Sequence, residues 1–219
     1  MTAGDLAGRR LYLCTPDRPD LAEFLSACIT GGVDVVQLRD KDLEARPLLQ
    51  RARLAAAVCR EHGVPFVLND RPDLALEVAA DGVHVGQDDA PVSLARRILG
   101  PDAIVGLSTH SESDLAVAVG EDVSYLSAGP VEATPTKPGR EGTGVDYVTL
   151  ASARSSVPVF VTGGVTPQRI PVLAAAGVRH FVVVRYLTRA PDARTAARAL
   201  REAIDRAVPD RASSSSPAH

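Results

Sequence analysis

The chain has 219 residues, 45% of them hydrophobic, and its 24 Lys and Arg against 27 Asp and Glu leave a formal charge of −3. That is enough apolar material for one sizeable core, and single α/β barrels occur at this length. There is no basic excess to attract nucleic acid or an anionic membrane, and 4% aromatics without a tryptophan leave little for a base-stacking platform.

Three isolated cysteines, Cys14, Cys28 and Cys59, form no CxxC pair, which argues against zinc or a disulfide framework. They fit reduced, structural thiols and a cytoplasmic protein. The start, "MTAGDLAGRR", lacks an apolar signal core, and no apolar run approaches the roughly 18 residues of a membrane span. No nucleic-acid or membrane partner is expected; the partners to look for are small molecules, and a homo-oligomer is compatible with the fold read below.

In chain order, short apolar runs alternate with longer amphipathic stretches. The runs "RLYLCT", "DVVQLR", "PFVLND", "GVHVGQ", "AIVGLS", "VSYLSAG", "PVFVTG" and "RHFVVVR" read as eight strands. The stretches 20–31, 43–62, 73–80, 92–99, 112–119, 147–153, 167–176 and 193–207 read as helices; Leu48, Leu49, Ala52, Ala55, Ala56 and Cys59 show the three- and four-residue spacing. Gly31-Gly32, Gly63, Gly82, Gly100, Gly120 and Gly177 read as stops between helix and strand. The strands are apolar-rich rather than alternating, as expected when both faces are covered. The pattern predicts an α/β fold, a single-domain (β/α)₈ TIM barrel over 1–208, with a disordered Ser-rich tail over 209–219. A doubly wound open sheet is the alternative, weakened because no GxGxxG follows the first strand.

In such a barrel the active site lies at the C-terminal strand ends, and here those ends turn polar together. Gln37 and Arg39 share a face with Val35, and Lys41 continues the parity. Strand three ends in Asn69 and Asp70. Strand four carries His84, followed by Gln87, Asp88 and Asp89. Strand five ends at Ser108. Strand six runs into "TPTKPGR", with Thr134, Thr136 and Lys137, and strand seven into Gly163-Gly164. Each has a plainer reading: "NDRPD" as a turn and helix start, His84 as a hydrogen-bonded core histidine, Gly163-Gly164 as an ordinary turn. Jointly, carboxylates end two neighbouring strands while cations, hydroxyls and glycines end the others. Mg²⁺ takes one or two carboxylates plus phosphate oxygens and water, and Lys, Arg and Thr bind phosphate. The set describes a magnesium–pyrophosphate site.

These motifs resemble those of the thiamine-phosphate synthase (thiamine-phosphate pyrophosphorylase) family from "LYLCT" to "VVVRYLT": "VVQLRDK", "VLNDRPDLAL", "DGVHVGQDD", "GLSTH", "AGPVEATPTKPG" and "VTGGVTPQ" stand in the family's order. The resemblance implies a (β/α)₈ transferase that joins a hydroxymethylpyrimidine diphosphate to a thiazole phosphate, giving thiamine monophosphate and pyrophosphate. It implies Asp70 and Asp89, 89 − 70 = 19 residues apart, as Mg²⁺ ligands. It implies Gln37, Arg39, Lys41 and Asn69 at the diphosphate, and Ser108 at the diphosphate or the developing product. It further implies Thr134, Thr136 and Lys137 as a clamp, and the Gly163-Gly164 turn at the thiazole phosphate. Arg39, Lys41, Ser108 and Lys137 are read as catalytic, and His84 and Arg185 are added to the substrate-binding set. The chain departs from the family where an aromatic and a proline usually precede the clamp: Glu132 and Ala133 stand there. A carboxylate at that point must turn away or pair with a cation. Arg185-Tyr186 replaces a smaller strand-eight end. A thiazole tautomerase of the same fold and a non-catalytic phosphate-ligand sensor are the competing functions.

Overall fold

The computed structural model describes residues 6–133 and 141–209. In chain order the elements are β1 (Leu11–Thr15), α1 (Leu21–Thr30), β2 (Val35–Leu38), α2 (Ala45–Glu61), β3 (Phe66–Asn69), α3 (Pro72–Glu77), β4 (Gly82–Val85), α4 (Val92–Leu99) and β5 (Ile104–Thr109). They continue as α5 (Glu112–Ala118), β6 (Tyr125–Ala128), α6 (Gly144–Arg154), β7 (Val159–Val161), α7 (Ile170–Ala175), β8 (His180–Val183), α8 (Arg185–Thr188) and α9 (Ala193–Ala207). The eight strands pair in parallel and in sequence, and β8 closes on β1. This is the (β/α)₈ barrel; the open sheet is excluded. The expected tail lies, from residue 210 onward, outside the described residues.

Two apolar layers hold the barrel. Leu11, Leu13, Val36, Leu38, Phe66 and Leu68 point outward against the helices. Tyr12, Cys14, Val35, Val67, Ile104, Tyr125, Phe160 and Val182 point inward and fill the interior. The period of two along each strand separates the sets. Inside, Phe160 meets Tyr12 and Tyr125 edge-on, with ring centroids 5.3 Å apart in each case; such pairs contribute about 0.5–1.5 kcal/mol beyond their buried area. Gly106 makes room for this packing, because a Cβ there would lie 2.1 Å from the Tyr125 ring.

The N-terminal end of the barrel is tied by its own polar groups. Asp34 accepts from Arg10 N and Leu11 N, each at 2.9 Å, and pairs with Arg201 of α9 at 2.8 Å. Asp81 accepts from Phe66 N at 2.8 Å, and Ser124 Oγ from Val105 N at 3.0 Å.

Several sequence expectations need correction. Gly82 opens β4, as the run "GVHVGQ" predicts, but does not end α3, which stops at Glu77; a Cβ on it would sit 1.9 Å from the Ile104 carbonyl oxygen. Strand eight ends at Val183, and Arg185 opens the short α8, whose first turn closes through Leu187 N and Thr188 N to Val184 O. α6 begins at Gly144, ahead of the expected 147, whereas α3 and α7 are shorter than their patterns. No helix among the described residues is long and apolar enough to cross a membrane. The three cysteines are buried thiols, and burial pushes Cys28 and Cys59 up to about 12; such thiols are inert rather than reactive.

Candidate active site

A cavity of about 560 Å³ opens at the C-terminal end of the barrel, within the range of small-ligand sites. Gln37, Arg39, Lys41, Asn69, Asp70, His84, Asp89, Ser108, Gly163, Gly164 and Arg185 all line it. Six strand ends, with the loops that follow them, thus bring the expected residues to one place. Thr134, Thr136 and Lys137 lie outside the described residues. The chain flanking them is anchored: Val131 N donates to Thr162 O at 2.8 Å, and Thr143 N to Pro130 O at 2.7 Å.

The carboxylate side is built on β3 and β4. Asp70 has a positive φ of 61°, a left-handed conformation that Asp tolerates better than most side chains. Its N–H donates to His84 O at 2.8 Å, which ties the turn to β4. It does not cap α3, whose N-cap is Arg71. Lys41 reaches Asp70 at 2.9 Å. Asp89 accepts from Gly86 N at 2.8 Å. Burial pushes Asp70 above the usual carboxylate range; Lys41 opposes the rise, and the neighbouring Asp89 carboxyl adds to it. Burial also acts against ionisation at Asp89. The hydrogen bond with Asp70, the Gly86 N–H and the Lys41 charge outweigh it and hold Asp89 below that range. Two carboxyls so close that one impedes the other's ionisation, with an ammonium drawn to them, form a local demand for positive charge.

This donor set suits Mg²⁺: hard oxygen ligands, two in number. No group of three or more His, Cys, Asp or Glu with metal-holding geometry occurs among the described residues. A magnesium ion here would draw its remaining ligands from phosphate oxygens and water.

The opposite edge is the β7 turn. Gly163 and Gly164 have φ of 98° and 74°. A Cβ on Gly163 would stand 2.6 Å from Val131 N, and one on Gly164 2.6 Å from a Glu132 carboxylate oxygen. At Gly163 the neighbouring backbone leaves no room for a side chain, and at Gly164 the left-handed φ favours glycine. Glu132 lies against this turn and pairs with Arg169 at 2.6 Å, so the unusual carboxylate has found its cation. Arg169 Nε is buried without a hydrogen-bond partner among the described residues. The α7 helix starts at Ile170, six positions after Gly164, and has only 6 residues.

The cavity also holds residues that sequence reading did not place in it: Tyr12 and Tyr125 line it, as do His110 and Thr162. Cys14 and Tyr186, the bulky residue that follows strand eight, line it too. Gln37, Asn69, His84 and Ser108 are buried polar side chains. His84 bonds Tyr125 OH through Nδ1 and Ser108 Oγ through Nε2, each at 2.9 Å. The mid-strand Gly106 was the one available signal for Tyr125, since a glycine inside a strand marks a close approach.

Comparison with known proteins bears on this arrangement. The family model described as thiamine monophosphate synthase matches residues 11–187. The thiamine-phosphate synthase of Mycobacterium sp. (strain KMS) is 46% identical across 91% of this chain and 94% of its own. That of Mycobacterium tuberculosis is 43% identical across 91% and 96%. Among solved structures, the thiamine phosphate pyrophosphorylase of Pyrococcus furiosus aligns at TM-score 0.83 and 28% identity, covering 91% of this chain and 96% of that one. A 3-hexulose-6-phosphate synthase, 22% identical at TM-score 0.64, shares the fold alone.

Proposed function

The chain belongs to the thiamine monophosphate synthase family, and on that premise we propose that it joins a hydroxymethylpyrimidine diphosphate to a thiazole phosphate, or to its 2-carboxy form. The products are thiamine monophosphate and pyrophosphate, and the chain is a transferase. The observation that carries the reading is the cavity's division. The Asp70–Asp89 carboxyl pair with Lys41 stands on one side, the glycine turn on the other, and a buried polar floor lies between them.

The reaction needs no protein nucleophile, because the thiazole nitrogen attacks the pyrimidine CH₂ as pyrophosphate leaves. The electron-rich aminopyrimidine can carry the positive charge, which favours a dissociative path. The chain's task is then to stabilise charge on the departing diphosphate. Asp70 and Asp89 would hold Mg²⁺. When bound, the ion supplies Lewis-acid stabilisation of the leaving oxygens. Arg39, Lys41 and Lys137 add cationic contacts to the same oxygens, and Gln37, Asn69 and Ser108 add neutral hydrogen bonds. Lys41, now 2.9 Å from Asp70, would turn to the diphosphate oxygens once substrate is bound. On the far side, Gly163 and Gly164 offer open backbone to the thiazole phosphate, with Thr134 and Thr136 joining as the clamp and Arg185 adding charge. That phosphate would compete with Glu132 for Arg169.

The reading is tested by giving purified protein both substrates with and without Mg²⁺ while following pyrophosphate and thiamine phosphate together. Magnesium-dependent appearance of both in equal amounts is expected. Magnesium-independent isomerisation of the 2-carboxy thiazole would assign a tautomerase instead. Tight phosphate-ligand binding without turnover would assign a sensor.

A further inference from the structure

Six buried side chains from five strands form one unbroken hydrogen-bonded chain beneath the cavity. Cys14 Sγ donates to Gln37 Oε1 at 2.9 Å, and Gln37 Nε2 donates to Tyr12 OH at 3.1 Å. Tyr12 OH lies 2.8 Å from Tyr125 OH. Tyr125 OH lies 2.9 Å from His84 Nδ1, and His84 Nε2 lies 2.9 Å from Ser108 Oγ. The chain crosses the barrel from β1 and β2 to β6, and ends on β4 and β5.

Its direction follows from the donor inventory. An amide nitrogen can only donate, so Tyr12 oxygen accepts from Gln37. The acceptor the structure gives the Tyr12 proton is then the Tyr125 oxygen; turned elsewhere, that proton would have no acceptor shown among the described residues. Tyr125, having accepted, donates to His84 Nδ1. That leaves the histidine proton on Nε2, where it donates to Ser108 Oγ. The Ser108 oxygen is thereby occupied as an acceptor from below, and its own proton is released toward the cavity. Burial pushes both phenols well above the ordinary tyrosine range, so both remain hydroxyls throughout.

We propose that this chain is a one-way positioning relay that fixes the His84 tautomer and so holds Ser108 as a hydrogen-bond donor to the anionic leaving group. Its role in turnover rests on the function proposed above. No proton is transferred along it; its work is to set orientation before substrate arrives, so that no hydroxyl has to reorient as charge develops. Tyr12, Tyr125 and His84 act through Ser108. A relay of opposite sense would lock the Ser108 proton onto His84 Nε2 and present a bare oxygen to the diphosphate.

The test begins with ¹⁵N NMR of the full chain labelled at histidine, without substrates, with His84→Gln assigning the resonance. An Nε2–H, Nδ1-unprotonated imidazole is expected, and its signal should move toward a tautomer mixture in Tyr125→Phe. In turnover, Tyr125→Phe should lower kcat while leaving KM nearly unchanged. The loss caused by Ser108→Ala should shrink about three- to tenfold in the Tyr125→Phe background, as for directly coupled residues. Tyr12→Phe, which breaks the chain one step earlier, should weaken the same coupling and covers the case where Tyr125→Phe does not fold. An Nδ1–H tautomer in the unmodified protein, or an undiminished Ser108→Ala effect in both backgrounds, would overturn the relay. Because the tautomer is read without substrates, failure of the relay is distinguishable from failure of the synthase reading.

Discussion

The two ends of the barrel are built from similar residues to opposite purposes. At the N-terminal end, Asp34, Asp81 and Ser124 accept from strand N–H groups, and Arg201 and Arg96 tie helices to that end. Those partners come from the chain itself, and the end is a closed seal. At the C-terminal end, Asp70 and Asp89 press on one another, two glycines hold left-handed conformations, and polar groups line a cavity. The same chemistry stabilises where its partners are internal and leaves binding capacity where they are not. Substitutions at the two ends should therefore separate stability from turnover.

The largest expected effect falls at the C-terminal end. Lys137→Ala should slow the single-turnover chemical step by about 10²–10³, with little loss of thiazole phosphate affinity and an unchanged unfolding midpoint. An unaltered single-turnover rate would remove Lys137 from the leaving-group contacts. Next, at the sealed end, Asp34→Ala strips the acceptor from Arg10 N and Leu11 N and leaves Arg201 with Asp205 alone. Urea unfolding should show a loss of about 2–4 kcal/mol, while turnover per folded molecule stays constant. A turnover defect there would blur the division between the ends.

Glu132→Ala sharpens the comparison from a smaller effect. It removes the chain's own anion from the glycine turn and frees Arg169. The KM for thiazole phosphate should fall about two- to fivefold, the scale of one exposed ion pair; a rise would mean that Glu132 supports the site rather than competing in it. The smallest effect belongs to Asp192, which caps α9 and does not line the cavity. Hydrogen bonds from Thr195, side chain first and then backbone, hold its carboxyl below the usual range. A depressed folded-state value means that the cap's contribution is present above the unfolded-state pKa. It is lost as pH falls through the depressed value. Asp192→Asn should flatten that acid limb slightly in thermal melts at several pH values, without touching activity.

How much of this was legible in the sequence follows from the same contrast. Strand ends that break an apolar run with Gln, Asn, Asp or Ser announce themselves, and Gln37, Asn69, Asp70 and Ser108 were found that way. Tyr12 and Tyr125 were not. They sit in "RLYLCT" and "VSYLSAG", strands apolar on both faces, where alternation cannot tell inside from outside. Their importance lies in hydroxyl partners contributed by other strands. The α8 helix was missed because "RYLT" simply continues an apolar run, and its first turn closes on the Val184 carbonyl. Glu132 was recognised as out of place, but its partner, Arg169, lies beyond another strand and a loop, a distance that no local pattern spans.

The most direct test of the account is the single-turnover rate of thiamine phosphate formation in wild type and Asp70→Asn across a Mg²⁺ titration, with unfolding midpoints measured alongside. The account predicts magnesium-dependent product in wild type, a loss of about 10²–10³ in Asp70→Asn, and closely similar midpoints. Equal rates in the two proteins, or product formation indifferent to magnesium, would contradict the assignment of the carboxylate pair and the catalytic reading built on it.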